Sequence, residues 1–233
     1  MRILAIIPAR GGSKGVPGKN IKLLGELPLL AYTTQSALAS KLLTKVIVST
    51  DCSSIATVAK KYGVEVPFLR PESLATDSAS SISVVQHAVS YLENQNEFFD
   101  AVCLLQPTYP FRPKGFIDQA IQKFIQDDTD ALLSVLPVPH EFNPHWVFEP
   151  DEKGFLQIAT GENEIIKRRQ DLPTAFFRDG AIYITKITVV KKGSLYGDKL
   201  SYLESHPDFY INIDTLEDWE KATIKLPLIK SQL

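Results

Sequence analysis

A glycine-rich and positively charged stretch near the start of the chain has the composition of an anion-binding loop. It follows the apolar run Ile3–Ile7, which is typical of a short buried strand in a parallel sheet. Residues 8–20 contain four glycines and two prolines, which oppose regular secondary structure, and the three cations Arg10, Lys14 and Lys19. Because glycine N–H groups and cations can converge in a loop at the carboxyl end of a first strand, the stretch predicts a phosphate site.

The spacing within this stretch differs from that of two common phosphate-binding loops. A Walker A loop needs Gly-x-x-x-x-Gly-Lys-Ser/Thr, whereas here Ser13 holds the first glycine position and Asn20 follows Lys19. The dinucleotide fingerprint Gly-x-Gly-x-x-Gly does not occur either. A solvated surface loop is the alternative, but such a loop seldom needs three cations, and no acidic residue precedes Glu26.

Length, charge and cysteine content limit the class of protein. The 233 residues suit one α/β domain, and a hydrophobic fraction of 44% is ample for a core. A net charge of −2 argues against nucleic acid as the main partner. The chain has no apolar run of about 18 residues that predicts a membrane span, and its first strand is too short for a signal peptide, so we expect a cytoplasmic protein. The cysteines Cys52 and Cys103 and the scattered histidines predict neither a disulfide framework nor a metal cluster.

Strands and helices alternate through the first half of the chain. This alternation predicts an α/β fold with a doubly wound, mostly parallel sheet and helices on both faces. The strands are expected at residues 3–7, 45–50, 64–69, 101–105 and 131–135. The helices are expected at residues 28–41, 53–62, 80–92 and 116–125.

The alternation stops after Pro137, where the chain becomes rich in proline and aromatic residues and then polar. We interpret residues 138–175 as an arm inserted into a single domain that spans residues 1–233. The elements expected after the arm are a strand at 181–185, a strand at Phe209–Ile213 and a helix at Thr215–Lys225.

Polar side chains that are suited to binding or catalysis occur at the ends of predicted strands and in the arm. Arg70 follows a strand and precedes a serine-rich helix start, and its planar guanidinium suits a base carbonyl or a carboxylate. Gln106 ends a buried strand, where a primary amide is costly unless it is paired. The adjacent Arg168 and Arg169 can bind a carboxylate or a phosphate bidentately.

Each of these residues also has a simpler structural interpretation. The serines that follow Arg70 can cap a helix, and Gln106 can bond its own backbone. The arginines of the arm can be solvated surface cations. Asn212 and Asp214 fall on one face of the predicted last strand, but Asp214 can instead cap the helix that follows.

The stretch Ile7–Asn20 resembles the signature loop of the acylneuraminate cytidylyltransferases, with the sequence Ile-Pro-Ala-Arg-Gly-Gly-Ser-Lys-Gly-Val-Pro-Gly-Lys-Asn. These enzymes activate sialic acid and related nonulosonic acids with CTP. Four later segments resemble further family motifs in the family's order, and the resemblance covers Ile3 to Asp218. These motifs are Arg-Pro…Leu-Ala-x-Asp-x-Ala-Ser-Ser, Leu-Leu-Gln-Pro-Thr-x-Pro-x-Arg, Arg-Gln-x-Leu-Pro…Gly-Ala-Ile-Tyr-Ile and Asp-Ile-Asp-Thr.

The resemblance implies transfer of CMP from CTP to the anomeric hydroxyl of a sugar acid, with Mg²⁺, by a homodimer assembled through the arm. It implies that the catalytic charges are those of Arg10, Lys14 and Lys19. It implies that the nucleotide is bound by Ala9, Arg10, Gly11, Gly12, Ser13, Asn20, Arg70, Ala79 and Ser81. It implies that the sugar acid is bound by Gln106, Arg169, Gln170 and Tyr183. It implies that the metal is held by Asp214 and Asn212.

The chain departs from the family pattern in two places. Asn212 replaces the first of the two aspartates that hold Mg²⁺ in the family, so Asp179 is considered as a further ligand. The residues before Gly180 read Phe-Phe-Arg-Asp, which leaves the role of Arg178 open. Two alternatives follow: a nucleotidyltransferase for another sugar, such as a ketodeoxyoctonate-type acid or a sugar 1-phosphate, or a nucleotide-binding module without catalysis.

Overall fold

A six-stranded sheet forms the centre of the protein in the computed structural model, which describes residues 1–233. The strands of the chain are β1 (Ile3–Pro8), β2 (Leu23–Leu24), β3 (Leu27–Pro28), β4 (Lys45–Ser49), β5 (Ala101–Leu104), β6 (Ala131–Pro137), β7 (Phe148–Pro150), β8 (Leu156–Ile158), β9 (Phe176–Lys186) and β10 (Leu200–Glu204). The central sheet has the order β10-β6-β9-β5-β1-β4, and only β9 is antiparallel to its neighbours. The mostly parallel α/β sheet predicted from the alternation is therefore confirmed.

Helices cover both faces of this sheet. They are α1 (Leu29–Ala39), α2 (Ser53–Lys61), α3 (Ser81–Glu93), α4 (Phe116–Asp127), α5 (Ile187–Lys191) and α6 (Leu216–Ile229). The core shared by α1, α2 and α4 contains Ile3 and Ile7, whereas the core shared by α3 and α5 contains Leu4 and Ile6. Because successive strand residues point to opposite faces, β1 contributes to both cores. None of the helices is long and apolar enough to cross a membrane.

A third apolar cluster fixes the loop after β1 against the last helix. Val16 of the loop and Ile213 are fully buried in this cluster together with Trp219 of α6. A Cβ atom at Gly15 would lie only 1.9 Å from the carbonyl oxygen of Asp214, so a glycine is required for this contact. The packing therefore holds the loop close to Asp214, although about two hundred residues separate them in the sequence.

Two of the predicted strands are corrected by the structure. The strand expected at Phe209–Ile213 is wrong, because this segment crosses the turn after β5, and the Ile213 N–H donates to the Thr108 carbonyl at 2.9 Å. The strand expected at 64–69 is reduced to two isolated parallel bridges. Pro67 explains the second correction, since proline has no N–H for a strand ladder.

The sequence pattern does not predict strand β10, because the inward-facing side chain is polar and the outward-facing side chains are apolar. Ser201 is buried, whereas Leu200 and Tyr202 are exposed. The usual alternation of apolar residues inward and polar residues outward is therefore missing, as is common at the edge of a sheet.

The arm predicted at 138–175 lies outside the central sheet. It contains the hairpin of β7 and β8, and its course is fixed by hydrogen bonds such as that from Asn143 Nδ2 to the Pro173 carbonyl at 2.9 Å. Its large apolar side chains Phe142, Phe155 and Leu156 are 66%, 70% and 71% exposed. The arm thus presents an apolar surface that the chain itself does not cover.

Candidate functional site

A cavity of about 370 Å³, called here the first cavity, opens between the loop after β1 and the start of α3. The loops after β1 and β5 both line it, so it lies at the carboxyl edge of the sheet, where open α/β sheets bind ligands. The predicted site residues that line the first cavity are Arg10, Ser13, Lys14, Lys19, Asn20, Arg70, Ala79, Ser81, Gln106 and Asp214.

The three cations of the loop pair with carboxylates from distant segments. Arg10 Nη2 lies 2.6 Å from one carboxylate oxygen of Asp77, and Lys14 Nζ lies 2.5 Å from the other. Lys19 Nζ lies 3.1 Å from Asp214 Oδ1. Hydrogen bonds from Lys14 and then Arg10 hold the pKa of Asp77 below its usual value. Since Arg10 and Lys14 converge on one carboxylate, they also have the arrangement that an anionic phosphate group needs.

Some residues predicted to bind nucleotide shape the loop instead of lining the first cavity. Ala9 is buried, and neither it nor Gly11 or Gly12 is part of the cavity wall. Asn20 does line the cavity, and its Nδ2 donates to the carbonyl oxygen of Arg10 at 2.9 Å. This bond fixes the backbone course that directs the Arg10 side chain.

Arg70 occupies the wall of the first cavity near α3 and is buried. Its Nη2 lies 3.5 Å from Asp51 Oδ1, which also accepts the N–H of Gly11 at 3.0 Å. Its Nε has no partner, and burial lowers the pKa of the guanidinium. The predicted capping role falls to Ser80, whose Oγ accepts the Ser83 N–H at 3.2 Å.

A cavity of about 280 Å³, called here the second cavity, adjoins the first. Ser81 and Gln106 line both cavities and so form the boundary between them. The Gln106 side-chain oxygen would lie 3.1 Å from a Cβ atom at Gly180, so the glycine gives the amide its room. Tyr183, predicted to contact the sugar acid, lines the second cavity with Gln106.

A bulge in β9 brings Arg178 and Tyr183 to the same cavity. A regular strand would place these residues on opposite faces, because five positions separate them. Their partners in β6 are Val135 and Leu133, only two positions apart. The extra residues of the bulge therefore restore a common face for Arg178 and Tyr183.

Asp179 lies inside this bulge and is held by hydrogen bonds. Its Oδ1 accepts hydrogen bonds from Ser134 Oγ and from the Ala181 N–H, while its Oδ2 has no partner. It is buried and lines neither cavity. Its Oδ1 is used to hold the bulge, and the suggestion of Asp179 as a further metal ligand stays a prediction that the lining of the two cavities does not support.

Arg112 lies behind the residues of both cavities and is fully buried without an acidic partner. Its guanidinium donates to the carbonyl oxygens of Gln106 at 2.9 Å and of Ala181 at 2.9 and 3.0 Å. It also donates to Tyr109 O at 2.6 Å and to Thr33 Oγ1 at 2.9 Å. Burial lowers the pKa of Arg112 to about 10, so the group is still protonated at neutral pH. These bonds tie the end of β5 to β9.

Replacing Arg112 is expected to destabilise the fold strongly. We expect Arg112→Met to lower the free energy of unfolding by about 3–5 kcal/mol, because it leaves several buried acceptors unpaired. Chemical denaturation of the variant measures this loss. The exposed Arg2, 5.2 Å above the Phe99 ring, provides the control, and Arg2→Met should cost about 1 kcal/mol or less. Equal losses in the two variants would contradict the role given to Arg112.

Asp214 lines the first cavity and lies next to Asn212, although neither residue is on a strand. Asn212 Nδ2 donates to Asp214 Oδ2 at 2.6 Å. Thr215 and Asp218 form the capping box of α6, so Asp214 is not the helix cap. The chain has no group of three or more His, Cys, Asp or Glu side chains that could hold a metal ion alone. One carboxylate and one amide oxygen do fit a Mg²⁺ ion that shares its ligands with nucleotide phosphates and water.

Arg169 and Gln170 are not brought to either cavity within one chain. They lie in a short 3₁₀ turn of the arm, Arg169–Asp171, and are exposed. The neighbouring Arg168 pairs with Asp171 at 2.6 Å. The sugar-binding role implied for Arg169 and Gln170 stays a prediction that the chain's own geometry does not supply.

The mostly parallel α/β fold is similar to the folds of a synthetase and a synthase of known structure. A solved CMP:2-keto-3-deoxy-manno-octonic acid synthetase in complex with CTP matches with a TM-score of 0.72 over 100% of both chains, at 14% identity. A 4-diphosphocytidyl-2C-methyl-D-erythritol synthase from Anaerococcus prevotii matches with a TM-score of 0.67 over 97% of this chain and 98% of that chain, at 15% identity. At such identities these likenesses show the fold alone.

The chain belongs to the cytidylyltransferase family, whose model matches residues 4–214. It is 35% identical over 226 residues, 96% of each chain, to the pseudaminic acid cytidylyltransferase of Campylobacter jejuni. It is 39% identical over 232 residues, 94% of each chain, to the CMP-N,N'-diacetyllegionaminic acid synthase of Legionella pneumophila. The family resemblance and the prediction of a nucleotidyltransferase are thus confirmed.

Proposed function

We propose that this enzyme transfers CMP from CTP to the anomeric hydroxyl of a nonulosonic acid and releases pyrophosphate. The observation that carries the proposal is the pair of adjoining cavities with Ser81 and Gln106 at their boundary. The first cavity has the cations for a triphosphate, and the second has room for a sugar. Relatives named for pseudaminic and legionaminic acid support a sugar acid as the acceptor. With CTP as the donor, we place the reaction in the cytoplasm.

In the proposed complex, the loop after β1 binds the triphosphate. Arg10 and Lys14, which now share Asp77, turn to phosphate oxygens, and Lys19 stays at the Asp214 end of the first cavity. Cations that are already positioned lower the energy of the charge that develops on the leaving pyrophosphate. Mg²⁺ held by Asp214 and Asn212 would neutralise phosphate charge in the same region.

The transfer step needs no covalent enzyme intermediate. The anomeric oxygen of the sugar forms a bond to the α-phosphorus of CTP as the bond to the β-phosphate oxygen breaks. The hydroxyl proton passes to solvent, and pyrophosphate carries away the electron pair of the broken bond. Gln106 at the cavity boundary is suited to orient the acceptor. Its backbone carbonyl oxygen accepts a hydrogen bond from Arg112 Nη2 at 2.9 Å, which fixes this position.

The base of CTP is assigned to the wall formed by Arg70, Ala79 and Ser81. We expect Arg70→Met to raise the KM for CTP by about tenfold or more while the KM of the sugar acid changes less than about twofold. The reason is that the unpartnered Nε of Arg70 is a buried donor ready for a ligand acceptor. Steady-state kinetics with each substrate varied in turn tests this. A variant in which only the sugar KM rises would mean that the two cavities are assigned in reverse.

We propose that the arm assembles the enzyme into a homodimer, because it exposes Phe155 and Leu156 at 70% and 71%. The wild-type enzyme should then show twice the chain mass in light scattering at micromolar concentration. Phe155→Asp combined with Leu156→Asp should give a monomer, since charges at a buried interface are costly. Ile224→Asp, at an apolar residue of α6 that is 73% exposed, is the control and should stay dimeric. A monomeric wild-type enzyme would count against the proposal.

Pyrophosphate release is the assay that tests the proposed function. CTP and Mg²⁺ are combined with N-acetylneuraminate, pseudaminate, legionaminate, a ketodeoxyoctonate or a hexosamine 1-phosphate. Release with one of the nonulosonic acids supports the proposal. Release only with the ketodeoxyoctonate or the sugar 1-phosphate supports the alternative acceptor, and release with none contradicts the catalytic proposal.

A further inference from the structure

The second cavity contains a single charged side chain. Its polar residues include Gln106, Ser81, Tyr183 and Tyr196, and its only ionic residue is Arg178. The first cavity, in contrast, is lined by the carboxylates of Asp77 and Asp214 as well as by cations. The proposed function assigns the cations of the first cavity to the triphosphate, whose negative charge repels a second anion. A second substrate that carries a carboxylate can instead enter the second cavity next to a guanidinium.

Arg178 has no acidic partner of its own. Its Nη1 donates to the Tyr196 hydroxyl at 3.3 Å, and it forms no salt bridge, whereas Arg10, Lys14 and Lys19 all do. The hydroxyls of Tyr183 and then Tyr196 raise its pKa, so it stays a cation. An arginine held by neutral phenols keeps its planar donors available for a ligand anion.

The fold directs Arg178 to this position by an irregular feature. The bulge in β9 pairs Arg178 with Val135 and Tyr183 with Leu133, so both side chains face the same cavity. The bulge is fixed by Asp179, whose carboxylate accepts hydrogen bonds from Ser134 and Ala181. A surface arginine without a ligand would not require this arrangement of buried polar groups.

We propose that Arg178 binds the carboxylate of the acceptor sugar acid and thereby selects acids over neutral sugars. The inference rests on the proposed function, since it assigns a substrate group to the second cavity. In a nonulosonic acid the carboxylate and the anomeric hydroxyl are attached to the same carbon. A bidentate contact of Arg178 with the carboxylate therefore also orients the hydroxyl relative to the first cavity.

The inference distinguishes Arg178 from Arg169, to which the family resemblance gives a role near the sugar acid. Arg169 lies on the exposed arm and lines neither cavity, whereas Arg178 lines the second cavity of its own chain. If Arg178 recognises the carboxylate, its removal should affect acids and leave analogues without the negative charge almost unchanged. Arg169 should not show this dependence on the charge of the substrate.

The test compares the best sugar acid with its C1 carboxamide as acceptors for the wild type, Arg178→Gln, Arg178→Lys, Arg169→Gln and the control Arg2→Gln. The wild type should favour the acid, and Arg178→Gln should reduce the ratio of kcat/KM values for acid and amide by about tenfold or more. Arg178→Lys should recover part of the ratio, while Arg169→Gln and Arg2→Gln should retain it. The KM for CTP and the thermal midpoint should be unchanged in Arg178→Gln.

The outcomes separate this inference from the proposed function. An active wild type whose preference for the acid persists in Arg178→Gln overturns the role of Arg178 and leaves the proposed function intact. Loss of the preference in Arg169→Gln instead would assign the carboxylate to the arm and also overturn the inference. A wild-type enzyme that consumes no sugar acid overturns both.

Discussion

Replacing Arg10 or Lys19 by alanine is expected to lower turnover by at least tenfold while the fold stays intact. Both side chains line the first cavity, and neither supports a core cluster. During transfer, negative charge builds up on the leaving pyrophosphate. Cations fixed near the pyrophosphate therefore act mainly in the transition state. A tenfold loss corresponds to about 1.4 kcal/mol of transition-state stabilisation.

Lys19 and the third cation of the loop, Lys14, differ in how they are held, which makes the prediction more specific. The Lys19 side chain is only 11% exposed and lies 3.1 Å from Asp214, whereas that of Lys14 is 83% exposed. We therefore expect Lys14→Ala to have a smaller effect than Lys19→Ala, because exposed charges are screened. Steady-state kinetics at saturating CTP and sugar acid measures the turnover, and thermal denaturation checks the fold.

A matched control is available close by in the sequence. Lys22 lies 4.7 Å from the centre of the Trp219 ring and does not line the first cavity. Lys22→Ala should therefore leave turnover within about twofold of the wild type, as expected for a lost cation–π contact away from the site. Near-wild-type turnover in both Arg10→Ala and Lys19→Ala would disprove the catalytic role of the loop.

Asp214→Asn is expected to nearly abolish activity, because Asp214 offers the one carboxylate of the proposed metal site. Its carboxylate accepts from Asn212 Nδ2 at 2.6 Å and pairs with Lys19. Mg²⁺ prefers oxygen ligands and binds proteins through one or two carboxylates together with substrate phosphates. We therefore expect tight metal binding only when CTP is present, and Asn212→Asp should preserve activity or lower the Mg²⁺ requirement.

The measurement is the Mg²⁺ dependence of turnover for the wild type and the two variants. Asp208→Asn, at a nearby exposed carboxylate outside both cavities, should behave like the wild type. The capping box of Thr215 and Asp218 is left intact in Asp214→Asn, so loss of activity cannot be ascribed to loss of the helix start. Full activity of Asp214→Asn at the usual Mg²⁺ concentration would rule out the ligand assignment.

Much of the fold can be predicted from the sequence, because most of its elements have consistent local patterns. The apolar run Ile3–Ile7 has the composition of a buried strand, and the segment Phe116–Asp127 repeats its apolar residues with the period of a helix. The segment at Phe209–Ile213 has the composition of a strand but buries Ile211 and Ile213 against α6 instead of pairing in the sheet. Tertiary packing decides such cases, and a single sequence does not contain that information in its local pattern.

The phosphate loop was predictable because glycines and cations occur together within a few residues. Its partner Asp77 was not singled out, since the pairing with Arg10 and Lys14 joins segments that only the fold brings together. The side of β9 to which Arg178 points could not be predicted either. Regular strand alternation would place Arg178 and Tyr183 on opposite faces of β9. They share a face because of the bulge, and only the observed register reveals that bulge.

The proposed reaction joins CMP directly to the anomeric oxygen of a sugar acid. Phosphorus NMR of a reaction that contains CTP, Mg²⁺ and the best nonulosonic acid tests this most directly, with mass spectrometry of the product. We expect pyrophosphate and a product with one phosphorus, in a phosphodiester between CMP and the sugar. CTP that stays intact with every nonulosonic acid, or pyrophosphate release without a phosphodiester between CMP and the sugar, would overturn this assignment.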